Sequence, residues 1–138
     1  MRLQPPIANG FPRETPTEGA IIDGKFIPGN TVVNVSHFST YRSRENFSQS
    51  EDYIPDRWLD NEKFRGDNKE AFKPFSVGPR NCIGQQFALD SMKLILARLI
   101  WKFDLDLAPE SSEWLDSQVA FVSWHQPPLM VALRLRPS

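Results

Sequence analysis

Cysteine and histidine are almost missing from this 138-residue chain, which has one cysteine and two histidines. A single cysteine excludes an internal disulfide framework and leaves a reduced compartment as the default. His37 and His125 are far apart in sequence, so no zinc-type spacing can be assembled with Cys82. Charge of one sign is also lacking. The formal net charge is −1, which argues against a nucleic-acid binder driven by a basic face. No apolar h-region opens the sequence, and the longest apolar stretch, Leu94 to Trp101, is short and interrupted by Arg98. What the chain has in excess is proline, with twelve spread along its length. Ordered connections are therefore expected to outweigh long regular elements.

Leu3 to Pro16 opens with Pro5-Pro6 and cannot carry a helix beyond its first residues, because proline lacks a donor and restricts its predecessor. Arg2-Leu3 reads as the last turn of a helix. Asp23-Gly24, between Ala20-Ile21-Ile22 and Lys25-Phe26-Ile27, is a two-residue hairpin signal. Pro28-Gly29-Asn30 marks a second turn, and Thr31 to Val35 a third strand. Together these give a small antiparallel sheet over 18–36. A short helix from Tyr41 to Phe47, capped at Ser43, is expected next. From 47 to 74 the aromatics Tyr53, Trp58, Phe64 and Phe72 keep no period, which predicts an ordered meander pinned to a core. Gly84 to Trp101 has a wide apolar face and predicts a buried helix of about five turns. The tail alternates Leu129, Val131, Leu133 and Leu135 with Met130, Ala132, Arg134 and Arg136, the pattern of a strand with one buried face.

The chemistry is concentrated in "FSVGPRNCIG", residues 75–84. Cys82 precedes a helix start, where free N–H groups and the dipole favour a thiolate. Gly78 and Gly84 let the backbone turn and a bulky partner approach, Pro79 stiffens the loop, and Arg80 places a cation two residues before the sulfur. Three readings stand side by side: a small buried hydrophobe, a nucleophile, which would need a histidine nearby, or a metal held by one sulfur.

The spacing Phe75-x-x-Gly78-x-Arg80-x-Cys82-x-Gly84 resembles the haem-binding signature of the cytochrome P450 family, with every defining position filled. The resemblance implies that Cys82 is the axial thiolate of haem b iron, that Arg80 binds a propionate and that Phe75 packs on the ring. Such ligation pushes electron density toward iron and favours O–O cleavage, tuned by N–H groups donated to the sulfur. It extends along the chain. "RLQPP", residues 2–6, looks like the end of the family's E-x-x-R helix (1–4), with Arg2 as its arginine. "GFPRETP" matches the segment whose arginine, here Arg13, reaches a second propionate. "DGKFIPGNTVVNVSHFSTYRS" resembles the family's sheet and the short helix after it, and "YIPDRW" its P-E-R motif, so that Arg57 completes the network with Arg2.

The fold implied is α+β, the C-terminal third of a mainly α fold from a fungal, microsomal-type member: meander 47–74, cysteine loop 75–84, proximal helix 84–102 and C-terminal strands 117–136. The activity implied is haem-thiolate monooxygenation of an apolar small molecule, with electrons from an NADPH-dependent flavoprotein reductase. The implied parent sits at the cytosolic face of the endoplasmic reticulum, on an N-terminal anchor. Substrate contacts are expected at Ile7, Ala8, Asn9 and Phe11 and in the turn between Val119 and Trp124, and reductase contacts at Arg42, Lys63 and Arg65. The chain departs from the family at the E-x-x-R glutamate, which would lie three positions before Arg2 and so two residues before Met1. Asp56 stands where the P-E-R motif usually has glutamate. Arg2 and Arg57 are thus expected to meet without a carboxylate, a costly arrangement if buried. The expectation is a partial haem-binding unit with no turnover of its own. The alternative is a non-catalytic truncated remnant.

Overall fold

The structure is a computed structural model that describes residues 1–121 and 123–137. These residues form two compact units, Met1–Pro74 with Ala120–Trp124, and Phe75–Val119 with His125–Ser138.

In the first unit Met1 to Gln4 form no helical turn. The N–H groups that would bond back to the carbonyls of Met1 and Arg2 belong to Pro5 and Pro6, which have none. The expected helix end is therefore absent from these four residues. Strand β1 (Arg13–Glu14), unannounced by its proline-rich surroundings, pairs antiparallel with β4 (Val32–Val33) in the register Arg13↔Val33 and Glu14↔Val32. Between them β2 (Ala20–Ile22) and β3 (Lys25–Ile27) form the expected hairpin, with Ile21 opposite Phe26. Its tip residues Asp23 and Gly24 have φ of 49° and 73°, the signs that a type I′ turn demands.

The expected three-stranded sheet is thus two separate ladders. Pro28 cannot donate to a continuing ladder, and the turn at Gly29-Asn30, with Asn30 at φ 55°, carries the chain back to β1. Buried Thr15 fixes that return: its Oγ1 donates to the Pro28 carbonyl at 2.6 Å and accepts from Thr31 N at 3.0 Å.

Helix α1 spans His37–Arg42, earlier than the expected Tyr41 to Phe47. Its N-cap is Ser36, whose hydroxyl accepts from Ser39 N at 3.3 Å, while Ser43 is the C-cap. Ser43 does start a turn, its carbonyl accepting from Asn46 and Phe47 N, but the turn does not propagate. The meander is ordered by three short 3-10 turns, Pro55–Trp58, Glu62–Phe64 and Lys69–Ala71. Its aromatics Trp58 and Phe72 pack with Tyr41 and Phe47, which like Phe64 and Ala8 are buried. Trp58 and Tyr41 each approach Phe72 with ring centroids 5.0 Å apart. Tyr53, 83% exposed, takes no part.

In the second unit the cysteine loop leads into α2 (Gln85–Lys102), with Gly84 as N-cap. The helix has the expected bounds but contains no buried residue: Phe87 is 79% and Trp101 85% exposed. The chain runs straight on into β5 (Phe103–Leu107), a strand that the alternation FDLDL foreshadows and the periodicity of the helix obscures. After a turn at Pro109–Ser111, strand β6 (Val119–Ala120) pairs with β7 (Trp124–His125). Finally β8 (Val131–Leu135) pairs with β5, Leu105 opposite Leu133.

The tail alternates as expected, yet both its faces are exposed. A two-stranded ladder has no second layer, and one such ladder cannot cover an 18-residue helix. Asp104 and Asp106 line one side of β5 and pair diagonally with Arg136 at 2.8 Å and Arg134 at 2.6 Å.

Candidate functional site

The cysteine loop is built by a left-handed turn. Ser76 and Gly78 have φ of 63° and 77°, and the turn Gly78–Arg80 follows. This reversal brings the Phe75 carbonyl to the Cys82 N–H at 2.8 Å, and Asn81 N closes on the Gly78 carbonyl at 3.0 Å. Cys82 is then presented as an exposed free thiol. A Cβ on Gly84 would lie 3.9 Å from its sulfur, and one on Gly78 would meet nothing within 4 Å. Phe75 is half-buried and Arg80 exposed. Among the described residues Arg80 forms no ion pair, and no hydrogen bond joins Cys82 to a histidine. No three His, Cys, Asp or Glu side chains gather as a metal cluster among the described residues. The buried-hydrophobe reading is excluded by exposure and the nucleophile reading lacks its base. An accessible single-sulfur donor beside an uncommitted cation remains, a donor set that fits thiolate-ligated iron with an anionic group at Arg80.

Arg13 belongs to the first unit, on β1. It is exposed and its Nη1 donates only to the Pro12 carbonyl, at 3.0 Å, so it too is free to meet an anion.

The first unit also holds the two arginines singled out by pattern, and both are buried, Arg2 at 6% and Arg57 at 1% exposure. Arg57 does have a carboxylate. It is Asp67, side chain 2% exposed, and not Asp56, which is exposed. Asp67 also accepts from Ser48 N at 2.8 Å and Ser48 Oγ at 2.7 Å, while Arg57 Nη2 donates to the carbonyls of Ser48 and Gln49 at 2.9 and 3.1 Å. Burial alone would raise the Asp67 carboxyl, but the Ser48 bonds and the Arg57 charge outweigh it and hold the group below its ordinary value.

Arg2 is satisfied differently, by the carbonyls of Tyr41 at 2.8 Å, Ser50 and Asp52 at 2.8 Å. Burial, then the like charges of Arg57 and Arg42, lower its pKa. Arg57 Nε is buried with no acceptor among the described residues. Sequence reasoning missed Asp67 because acids crowd the stretch from Glu51 to Glu70. The signal available was that a buried guanidinium needs one of them.

Of the expected substrate-contact residues, Ile7 is half-buried, Ala8 buried, Asn9 exposed and Phe11 54% exposed. They lie on one segment, held by Phe38 N donating to the Ala8 carbonyl at 2.9 Å. In the second candidate turn, Phe121 is 70% exposed and Val122 lies outside the described residues. Two of the basic residues expected to meet a reductase are engaged by acids: Arg42 with Glu51 at 2.5 Å and Arg65 with Glu62 at 3.1 Å. Lys63 lies over the Phe64 ring, 5.4 Å from its centroid. His37 stacks on Tyr41 at 5.2 Å, and burial lowers its pKa against a bond to the Ile7 backbone. Burial also pushes the Tyr41 phenol up to about 12, opposed by the Lys73 backbone.

The family model described as Cytochrome P450 matches residues 1–133. The chain is 56% identical over all its 138 residues to the cytochrome P450 monooxygenase astD of Aspergillus oryzae, and spans 27% of that protein's length. It is 46% identical over 98% of its length to the cytochrome P450 monooxygenase atr2 of Stereocaulon alpinum, spanning 26% of it. A shorter relative, the cytochrome P450 monooxygenase oryQ of Aspergillus oryzae, is 46% identical over 95% of the chain, which covers 78% of it. Among solved structures, a retinoic acid bound cyanobacterial CYP120A1 aligns with a TM-score of 0.82 and 29% identity over 98% of the chain and 30% of its own. No helix among the described residues is long and apolar enough to cross a membrane.

Proposed function

Because this chain belongs to the cytochrome P450 family, we propose that it is the haem-binding C-terminal part of a monooxygenase that acts on an apolar small molecule. The carrying observation is Cys82, an exposed thiol set by the Ser76–Gly78 reversal immediately before α2. In this reading Cys82 is the axial ligand of haem b, Arg80 and Arg13 meet its propionates, and Phe75, Gly78 and Gly84 shape the loop around it. The bound group would supply dioxygen activation, inserting one oxygen atom into the substrate while the other leaves as water.

The chain's own contribution is positional. The exposed guanidinium of Arg80 anchors a carboxylate by charge-assisted bonds without first giving up another partner. Arg57, Asp67 and Arg2 tie the meander to the segment before Ile7, and the spare Nε donor of Arg57 suits a further carboxylate of the E-x-x-R kind. Ile7, Ala8, Asn9 and Phe11 would meet substrate. Lys63, with Arg42 and Arg65, would guide an NADPH-dependent flavoprotein reductase. The parent would sit at the cytosolic face of the endoplasmic reticulum.

With α2 uncovered, the chain alone binds haem without sustaining turnover. Haem titration of the purified chain, followed by reduction and carbon monoxide, tests the reading. A strongly red-shifted Soret band that Cys82→Ala abolishes supports thiolate ligation. A band that is unshifted, or indifferent to Cys82→Ala, overturns it. Reductase-dependent hydroxylation by the chain alone would overturn the partial-unit reading.

A further inference from the structure

Of the asparagines in this chain, Asn9 alone is followed by glycine. Asparagine is chemically labile, because the backbone nitrogen of the next residue can attack its side-chain carbonyl carbon. Glycine hinders that attack least, having no Cβ. In the folded chain most of these nitrogens are already engaged. Thr31 N donates to Thr15 Oγ1 at 3.0 Å, and Phe47 N to the Ser43 carbonyl at 2.9 Å. Lys69 N donates to the Asp67 carbonyl at 2.9 Å and Cys82 N to the Phe75 carbonyl at 2.8 Å. Asn30, Asn46, Asn68 and Asn81 are thereby disarmed. Among the described residues Gly10 N has no acceptor.

Two further observations single out Asn9. It is exposed, so water reaches it, and its backbone carbonyl accepts from Asn34 Nδ2 at 2.9 Å. That oxygen and Gly10 N belong to one peptide group. The bond from Asn34 therefore stabilises the anion that forms when Gly10 N loses its proton. Asn34 itself is followed by Val35, whose β-branch crowds the approach. Asn61 has its Oδ1 held by Lys63 N at 3.0 Å, one residue beyond the nitrogen that would attack.

We propose that Asn9-Gly10 is a spontaneous modification site, whose deamidation the Asn34 bond promotes and which unties the Phe121 turn. Hydroxide takes the Gly10 N proton, and the nitrogen bonds to Asn9 Cγ. The Cγ–Nδ2 bond breaks, and Nδ2 leaves as ammonia with a proton from water. One water then opens the succinimide at either carbonyl, giving aspartate or isoaspartate. The balance is one water consumed and one ammonia released, with no electrons transferred. In the native chain Nδ2 donates to the Phe121 carbonyl at 3.1 Å, across 112 residues of sequence. A carboxylate only accepts, so that link is lost. Isoaspartate also lengthens the main chain beside Gly10, where φ is 69° and an added Cβ would lie 2.1 Å from the Val35 carbonyl oxygen. The segment has no slack to absorb it. The turn then keeps its second tie, Trp124 Nε1 to the Pro5 carbonyl at 2.6 Å. None of this depends on the haem reading.

The test incubates the purified whole chain in mildly alkaline buffer made with heavy-oxygen water and follows each asparagine by peptide mass mapping. In the folded chain Asn9 takes up the label first, about tenfold or more faster than Asn30, Asn46, Asn68 or Asn81, a factor that a small difference in barrier supplies. Asn34→Leu slows Asn9 about fivefold, the factor that one net hydrogen bond represents, with the circular dichroism unchanged. In urea, where the bond is absent, the native and Asn34→Leu chains react at one rate. Should Asn34→Leu unfold, Asn34→Asp, which keeps the size and removes the donor, decides. Chymotrypsin cuts after Phe121 faster in Asn9→Asp than in the native chain. The proposal is overturned if Asn9 reacts no faster than the other four, or if the folded Asn34 variants match the native rate. Slowing that persists equally in urea, or cutting that Asn9→Asp leaves unchanged, overturns it as well.

Discussion

Asp67 and Arg57, ten residues apart, close into an ion pair whose side chains are 2% and 1% exposed, and the same carboxylate takes both donors of Ser48. One acid therefore ties three turns of the meander together. Removing one partner leaves a buried charge without compensation, which costs about 3 to 5 kcal/mol. Asp67→Asn and Arg57→Met should each lower the urea midpoint severely. The double variant Arg57→Met with Asp67→Leu should recover part of the loss, because it strands no charge. Singles within about 0.5 kcal/mol of the native chain would mean that water reaches the pair.

Acid should unfold the first unit in two distinguishable stages. The His37 imidazole is held below its ordinary value of 6.5 by burial, so the unfolded chain takes up that proton first. This share of stability is present above about pH 6.5 and is lost as pH falls through the lower folded value. The Asp67 carboxyl, also lowered from an ordinary 3.8, adds stability that is complete above about pH 4 and lost as pH falls through its folded value. Urea midpoints from pH 3 to 8 should show the upper decline vanish in His37→Phe, while Asp67→Asn flattens only the lower one. An upper decline that survives in His37→Phe would assign it to another group.

Glycines 10 and 78 should respond differently to alanine. Both hold left-handed φ, 69° and 77°, but a Cβ at Gly78 enters open space whereas one at Gly10 meets the Val35 carbonyl oxygen at 2.1 Å. Gly78→Ala should cost about 1 to 2 kcal/mol, the backbone preference alone. Gly10→Ala should cost at least twice that in the same urea series. Equal costs would show that the Val35 carbonyl gives way.

Helix α2 offers a test of its exposure. Phe87 and Trp101, 79% and 85% exposed, should tolerate glutamine with changes within about 0.5 kcal/mol. A loss above about 2 kcal/mol for either would mean that the face is covered in solution.

Features encoded by neighbouring residues were legible in the sequence. Asp23-Gly24 needs only its own φ values to make the hairpin, and the α2 bounds follow from Gly84 and the apolar period. The cysteine signature was legible for the same reason, as a local loop written in consecutive residues. Partners were not. Nothing near Arg57 distinguishes Asp67 from Asp56, because burial and not spacing selects the acid. The pairing of β4 with β1 depends on how Thr15 is satisfied, a tertiary fact. Apolar pattern also reports what a face can bury and not what covers it. That is why α2 and the Val131–Leu135 strand were expected buried and are exposed.

The hydrogen bond from Trp124 to the Pro5 carbonyl joins residues 119 positions apart. As the chain leaves the ribosome, the first unit holds its meander early but lacks the turn that completes it. It must wait while the cysteine loop, α2 and β5 are all synthesised. Loop closure over such an excursion grows only logarithmically with length, so the delay is one of order and not of thermodynamic cost. During that interval the Pro5 carbonyl and the Asn9 amide stand open to solvent. Final assembly of the first unit therefore comes after the cysteine loop already exists.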